Sequence, residues 1–131
     1  VTTTTHNRQR FFDDFHLGWI VVGAMRHHDR TGSTDTLAYV VMPDHLHWLF
    51  SLGVGSSLDK VLHSMKSYSG KRIGNMPGAA QGPVWQSGFH DHALRKDEDL
   101  VHLARYVVAN PVRAGLVGRL GDYPLWDAKW V

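Results

Sequence analysis

Two β-rich apolar segments separated by only two residues constrain this chain more than anything else in it. The segments 36–42 (TLAYVVM) and His45–Leu52 (HLHWLFSL) are rich in β-branched, aromatic and leucine residues. Pro43-Asp44 between them leaves room for nothing but a tight connection. They predict two neighbouring strands. Side chains alternate along a strand, so His45 and His47 share one face, their Cα atoms roughly 6–7 Å apart. Leu46 is read as pointing the other way, into a core shared with Leu49.

The rest of the chain arranges itself around that pair. The threonine run 2–5 reads as a strand ending near Arg8. Asp13 or Asp14 caps a helix over 14–28, with Phe15, Trp19, Val22 and Met25 at helical spacing. The polar, glycine-containing stretch 29–35 is a loop. Ser56 or Ser57 caps a helix over 58–73, whose apolar stripe is Leu58, Val61, Leu62, Met65 and Ile73. Residues 74–83 (GNMPGAAQGP) form a flexible loop, and 84–94 a strand broken or bulged at Gly88. Asp97 caps a last helix to about Asn110, stopped by Pro111. The aromatic tail, about 121–131, packs back on the body. The resulting order, β-α-β-β-α-β-α, predicts an α+β fold: one domain over 1–131 with helices against a mainly antiparallel sheet.

Composition narrows the functional classes. The 131 residues contain no cysteine, which excludes disulfide frameworks, cysteine zinc sites, iron–sulfur clusters and a thiol nucleophile, and leans towards a reducing compartment. No apolar run is long enough for a transmembrane helix, and the first residues lack the order of a signal peptide. A phosphate-binding glycine loop with its lysine and a Gly-x-Ser-x-Gly elbow are both missing. The net charge is only +2, but a pI near 9.1 and ten histidines are compatible with a polyanionic partner.

Four groups of residues carry possible chemistry, and each has an ordinary structural explanation beside it. His45 and His47 suit two ligands of one metal or two hydrogen-bonded histidines on a half-exposed strand. His90 and His92, flanking an acidic residue, repeat the spacing in a more polar setting. On the last helix Tyr106 and Asn110 lie one turn apart at the border of the apolar arc, either as a paired hydroxyl and amide or as a boundary tyrosine and a helix stop. Lys60, Lys66, Lys71, Arg72, Arg105 and Arg113, with Trp48, Trp85, Trp126 and Trp130, offer the cations and stacking surfaces of a single-stranded nucleic-acid groove. Solvated helix faces and core tryptophans explain them equally.

Read together, YVVMPDHLHWLF, VWQSGFHDHALR, DEDLVHLARYVVANPVRAGLV and the closing GDYPLWDAKW resemble the REP-associated tyrosine transposases, a branch of the single-tyrosine HUH transposases. The resemblance runs over nearly the whole chain. It implies a ferredoxin-like HUH fold with a central antiparallel sheet flanked by helices. It further implies Tyr106 as nucleophile and His45, His47 and Asn110 as ligands of a divalent ion, Mg2+ or Mn2+. Two imidazoles alone would by softness favour zinc or manganese. The implied activity is cleavage and joining of single-stranded DNA beside hairpins through a phosphotyrosine, without ATP. The expected setting is the cytoplasm, at the nucleoid, with the protein a monomer or a homodimer. The rival expectations are a non-catalytic hairpin-DNA binder, a replication-initiator or relaxase nuclease, and an RNA-binding sheet domain.

Overall fold

Pro43-Asp44 closes a two-residue hairpin between β2 (Thr34–Met42) and β3 (His45–Leu52), with Met42 facing His45 and the pairing running antiparallel to Thr34 opposite Leu52. A register shift between Thr36 and Ala38 bends β2. In this computed structural model, which describes residues 1–79, 82–93 and 99–130, two further strands complete an antiparallel sheet of order β1-β3-β2-β4. β1 (Thr2–Thr4) pairs with β3, placing Thr2 opposite His47 and Thr4 opposite His45. β4 (Trp126–Ala128) pairs with β2.

The helices begin where short polar side chains can accept the first free backbone N–H groups. Asp14 accepts from His16 N at the start of α1 (Phe15–Arg30), and Ser57 from Lys60 N at the start of α2 (Leu58–Gly74). Asp99 accepts from His102 N ahead of α3 (Leu100–Val108), and a short α4 (Asn110–Arg113) follows after Ala109. The expected cap Asp97 and the residue Leu94 lie outside the described residues.

The sheet separates two apolar layers. On one face Leu46, Trp48 and Val41 pack with Val21, Val22 and Met25 of α1 and Val61, Leu62, Met65 and Ile73 of α2. On the other, Ala38 packs with Ala104 and Val108 of α3, against partly buried Leu49, Trp126 and Trp130. Leu49 therefore lies across the sheet from Leu46 rather than in a shared core, as strand alternation requires.

Four sequence expectations need correction. α1 presents Gly18, Val21, Val22, Ala24, Met25 and His28 to the core, while Phe15 and Trp19 stay near half exposed. The reason is Gly18: the Leu125 side chain fills the place where its Cβ would be. The described part of 84–94 is no strand but makes two isolated bridges, Thr2 of β1 with His90 and Thr5, just past β1, with Trp85. Between them Gly88 takes φ +81°. The tail supplies the fourth strand instead. The tryptophans serve packing: Trp48 and Trp85 are buried, their indole N–H groups donating to Thr36 Oγ1 and Ser69 Oγ.

Leu125, fully buried beside Gly18 and accepting a bond from Val41 N through its carbonyl, anchors the tail. Leu125→Ala should cost about 2–5 kcal/mol in chemical denaturation, the range for a buried leucine. Trp19→Ala should cost under about 1 kcal/mol, as for a surface position.

Candidate functional site

Strand alternation turns His45 and His47 towards the sheet face on which α3 lies, the face that also carries Leu49. The two imidazoles meet edge to face, centroids 4.8 Å apart and planes at 90°. Each ring is held by its Nδ1. His45 Nδ1–H donates to Asp44 Oδ1 at 2.7 Å, and His47 Nδ1 shares a hydrogen bond with Thr2 Oγ1 at 2.9 Å. Among the described residues, Nε2 is the nitrogen each ring has left to act. An imidazole fixed through one nitrogen presents the other in a defined direction.

Asp44 is the hub of this arrangement. Its Oδ2 accepts from Arg8 Nε at 3.0 Å, and its carbonyl accepts from both the backbone N–H and the hydroxyl of Thr5. Burial alone would raise the Asp44 pKa; the hydrogen bond and charge of His45, with Arg8, bring it below its ordinary value. His47 is pushed down to about 4, first by burial and then by the positive charges of His45, the Val1 amino group and Arg113. It is therefore neutral at neutral pH, the form in which an imidazole binds a metal or a proton.

Across from the histidines, the junction of α3 and α4 gathers the other residues singled out in the sequence. Pro111 has no N–H to give the Val107 carbonyl; Asn110 Nδ2 donates to that oxygen instead, at 2.7 Å. Among the described residues, this bond leaves the amide oxygen of Asn110 as its free acceptor. Tyr106 is 59% exposed, with its ring under the Arg113 guanidinium. The other tyrosines are committed elsewhere. Tyr39 is buried, and Tyr123 donates to Val41 O with its pKa pushed up to about 12 by burial. Tyr68 receives a hydrogen bond from Arg72 beside α1, on the opposite layer.

The basic residues do not form one groove. Lys66 Nζ donates to the carbonyls of Gln86 and Gly88, and burial lowers its pKa. It staples the 85–89 segment to α2. Lys71 lines the cleft of about 550 Å³ between those two segments, whereas Lys60 borders a different cleft with His28 and Ser33. Arg105 and Arg113 belong to the far layer with α3. His90 is exposed and faces Thr2 across β1, in the same cross-strand row as His47. Among the described residues, no three His, Cys, Asp or Glu side chains converge as a metal cluster. Asp44, Thr2 and Arg113 as partners of the site residues escaped the sequence reading, Asp44 because the turn sets its side chain and Thr2 because only strand register places it beside the ring.

The family profile described as "Transposase IS200 like" matches residues 1–110. A REP-associated tyrosine transposase of Escherichia coli (strain K12) is 32% identical over 87 residues, covering 66% of this chain and 50% of that protein. The chain thus spans about half the length of that relative. The solved structure titled "Structure of the REP associates tyrosine transposase bound to a REP hairpin" superimposes with a TM-score of 0.77 at 23% identity, over 95% of this chain and 72% of the other. That likeness bears out the α+β fold with an antiparallel sheet. No helix among the described residues is long and apolar enough to cross a membrane.

Without bound metal, the folded protein resists protonating His47, whereas the unfolded chain takes up that proton near 6.5. Stability from this group is full above about 6.5 and falls as the pH drops towards 4. Unfolding titrations between pH 7 and 4 should show a loss of stability that His47→Gln lacks. NMR should find the His47 ring still neutral at pH 5.

Proposed function

The chain belongs to the IS200-like transposase family, and from that membership we propose a metal-dependent single-stranded DNA endonuclease and strand transferase that recognises hairpin DNA and cleaves through Tyr106. The observation that carries this reading is the oriented histidine pair on the sheet face covered by α3, the helix that bears Tyr106. The hairpin in the complex of the structurally similar transposase suggests the substrate class.

The donor chemistry fits a divalent ion. His45 and His47, each tied through Nδ1, and Asn110, tied through Nδ2, would hold Mg2+ or Mn2+ by two imidazole nitrogens and an amide oxygen. A bound ion would supply charge neutralisation for the phosphate oxygens. The chain's own contribution is to present the ligands aligned, and to bring a phenol to the phosphate. The Tyr106 Oη–P bond forms as one bridging P–O bond to a sugar breaks. The sugar oxygen leaves with a proton, and the phenol gives one up. One phosphate ester replaces another, so rejoining requires no ATP. α3 packs on its own chain's β2, β3 and β4.

Labelled single-stranded hairpin DNA with Mn2+, run on a denaturing gel, tests the proposal. Wild-type protein should give a covalent adduct. Tyr106→Phe should lose adduct and cleavage while keeping its fold, Mn2+ affinity and DNA affinity; an adduct that persists would move the nucleophile to Tyr68. DNA binding without any adduct would leave the non-catalytic binder. In Mn2+ titrations His45→Ala should lose binding, and Asp44→Asn should weaken it about 10–100-fold, the usual cost of removing a ligand's carboxylate partner. His92→Ala should bind as wild type.

A further inference from the structure

The break between α3 and α4 turns two side chains back onto α3. Asn110 reaches the Val107 carbonyl. Arg113 reaches one residue further: its Nη2 donates to the Tyr106 carbonyl at 2.6 Å, and its Cζ lies 3.8 Å from the centroid of the Tyr106 ring. The guanidinium thus holds the tyrosine twice, by the backbone and across the ring face, the stacking that arginine makes and lysine does not. Tyr106 is otherwise an exposed aromatic on a helix surface, with rotamer freedom that an unheld ring would use.

The clamp does not use up the arginine. A guanidinium has five N–H donors in a rigid fork, and the Tyr106 carbonyl takes one of them. Arg113 is exposed, so the remaining donors face solvent. Arg113 also forms no ion pair with a carboxylate among the described residues. Arg119 and Arg10, by contrast, each pair with an aspartate three residues on. The charge of Arg113 is within electrostatic reach of His47. An unpaired fork beside a phenol and near the histidine pair has the geometry to accept a phosphate in bidentate fashion.

We propose that Arg113 is a positioning residue for Tyr106, fixing the ring by stacking and offering its free N–H groups to the non-bridging oxygens of the phosphate that the ring attacks. One side chain then aligns nucleophile and electrophile together. The inference rests on the phosphotyrosine reading above and adds a requirement that reading does not contain: charge at position 113 is insufficient without the planar fork.

The test combines a readout independent of turnover with one of turnover. In protein carrying ring-¹³C-labelled tyrosine, the Tyr106 signal, assigned with Tyr106→Phe, should shift towards that of free tyrosine in both Arg113→Ala and Arg113→Lys. Single-turnover adduct formation at saturating hairpin DNA should fall about 100-fold in both variants, the scale of a nucleophile misplaced by an ångström. The unfolding midpoint should stay within the scatter of wild type. Added guanidinium ion should partly restore Arg113→Ala. An unmoved Tyr106 signal in Arg113→Ala, a rate equal to wild type, or full activity in Arg113→Lys would each overturn the proposal. Wild-type protein that forms no adduct would overturn the phosphotyrosine reading instead, and the Tyr106 signal would still decide the clamp.

Discussion

The antiparallel pairing of β2 with β3 is the contact on which the rest of the molecule depends. It is the longest pairing in the sheet, and both outer strands attach to it: β1 along β3 and β4 along β2. The helices of both layers rest on its side chains, Leu46 and Trp48 on one face and Ala38 and Leu49 on the other. Burying Leu46 and Trp48 is what makes the alternation energetically strict, because each contributes on the order of 2 kcal/mol or more of transfer free energy on the core side. The histidines are exposed to chemistry on the opposite face because their neighbours are so firmly committed to the core.

Wherever the signal was local, the fold was legible in the sequence. The β2–β3 hairpin, the capped helix behind Ser57 and the shared face of His45 and His47 follow from turn chemistry and periodicity within a dozen residues. The segment 84–90 misled because its composition is that of a strand, yet Gly88 at φ +81° interrupts it, and only two isolated bridges form. β4 was missed for the opposite reason: three residues are too few for alternation to register, and their partner on β2 is nearly ninety positions away. Phe15 and Trp19 looked like core because apolar spacing cannot reveal that Leu125 occupies the space against Gly18.

The site shows the same division at finer scale. Residue type and spacing raised His45, His47, Tyr106 and Asn110 as candidates beside His90 and His92, the family resemblance gave them roles, and neither pointed to the groups that hold them. Asp44 and Thr2 reach the imidazoles through the turn and the strand register, and Arg113 reaches Tyr106 through a helix break that proline enforces. The cations on α2 illustrate the converse. Lys66 has the charge of a phosphate contact and is used to pin backbone carbonyls of a neighbouring segment. Charge on a helix face is therefore a weak guide to a binding groove until the partners of each cation are known.

The two-residue turn at Pro43-Asp44 has a consequence for how such a chain can vary. Lengthening or shortening β3 by one residue ahead of His45 would exchange its faces, sending the imidazoles into the apolar layer and Leu46 and Trp48 to the other side. The same change would carry Asp44 away from Arg8, Thr5 and His45, which it joins through both carboxylate oxygens and its carbonyl. Loops elsewhere can absorb insertions at small entropic cost. At this hairpin a single-codon insertion or deletion would disable fold and site at one stroke, so the connection is a point where the chain tolerates replacement of side chains but not a change in their number.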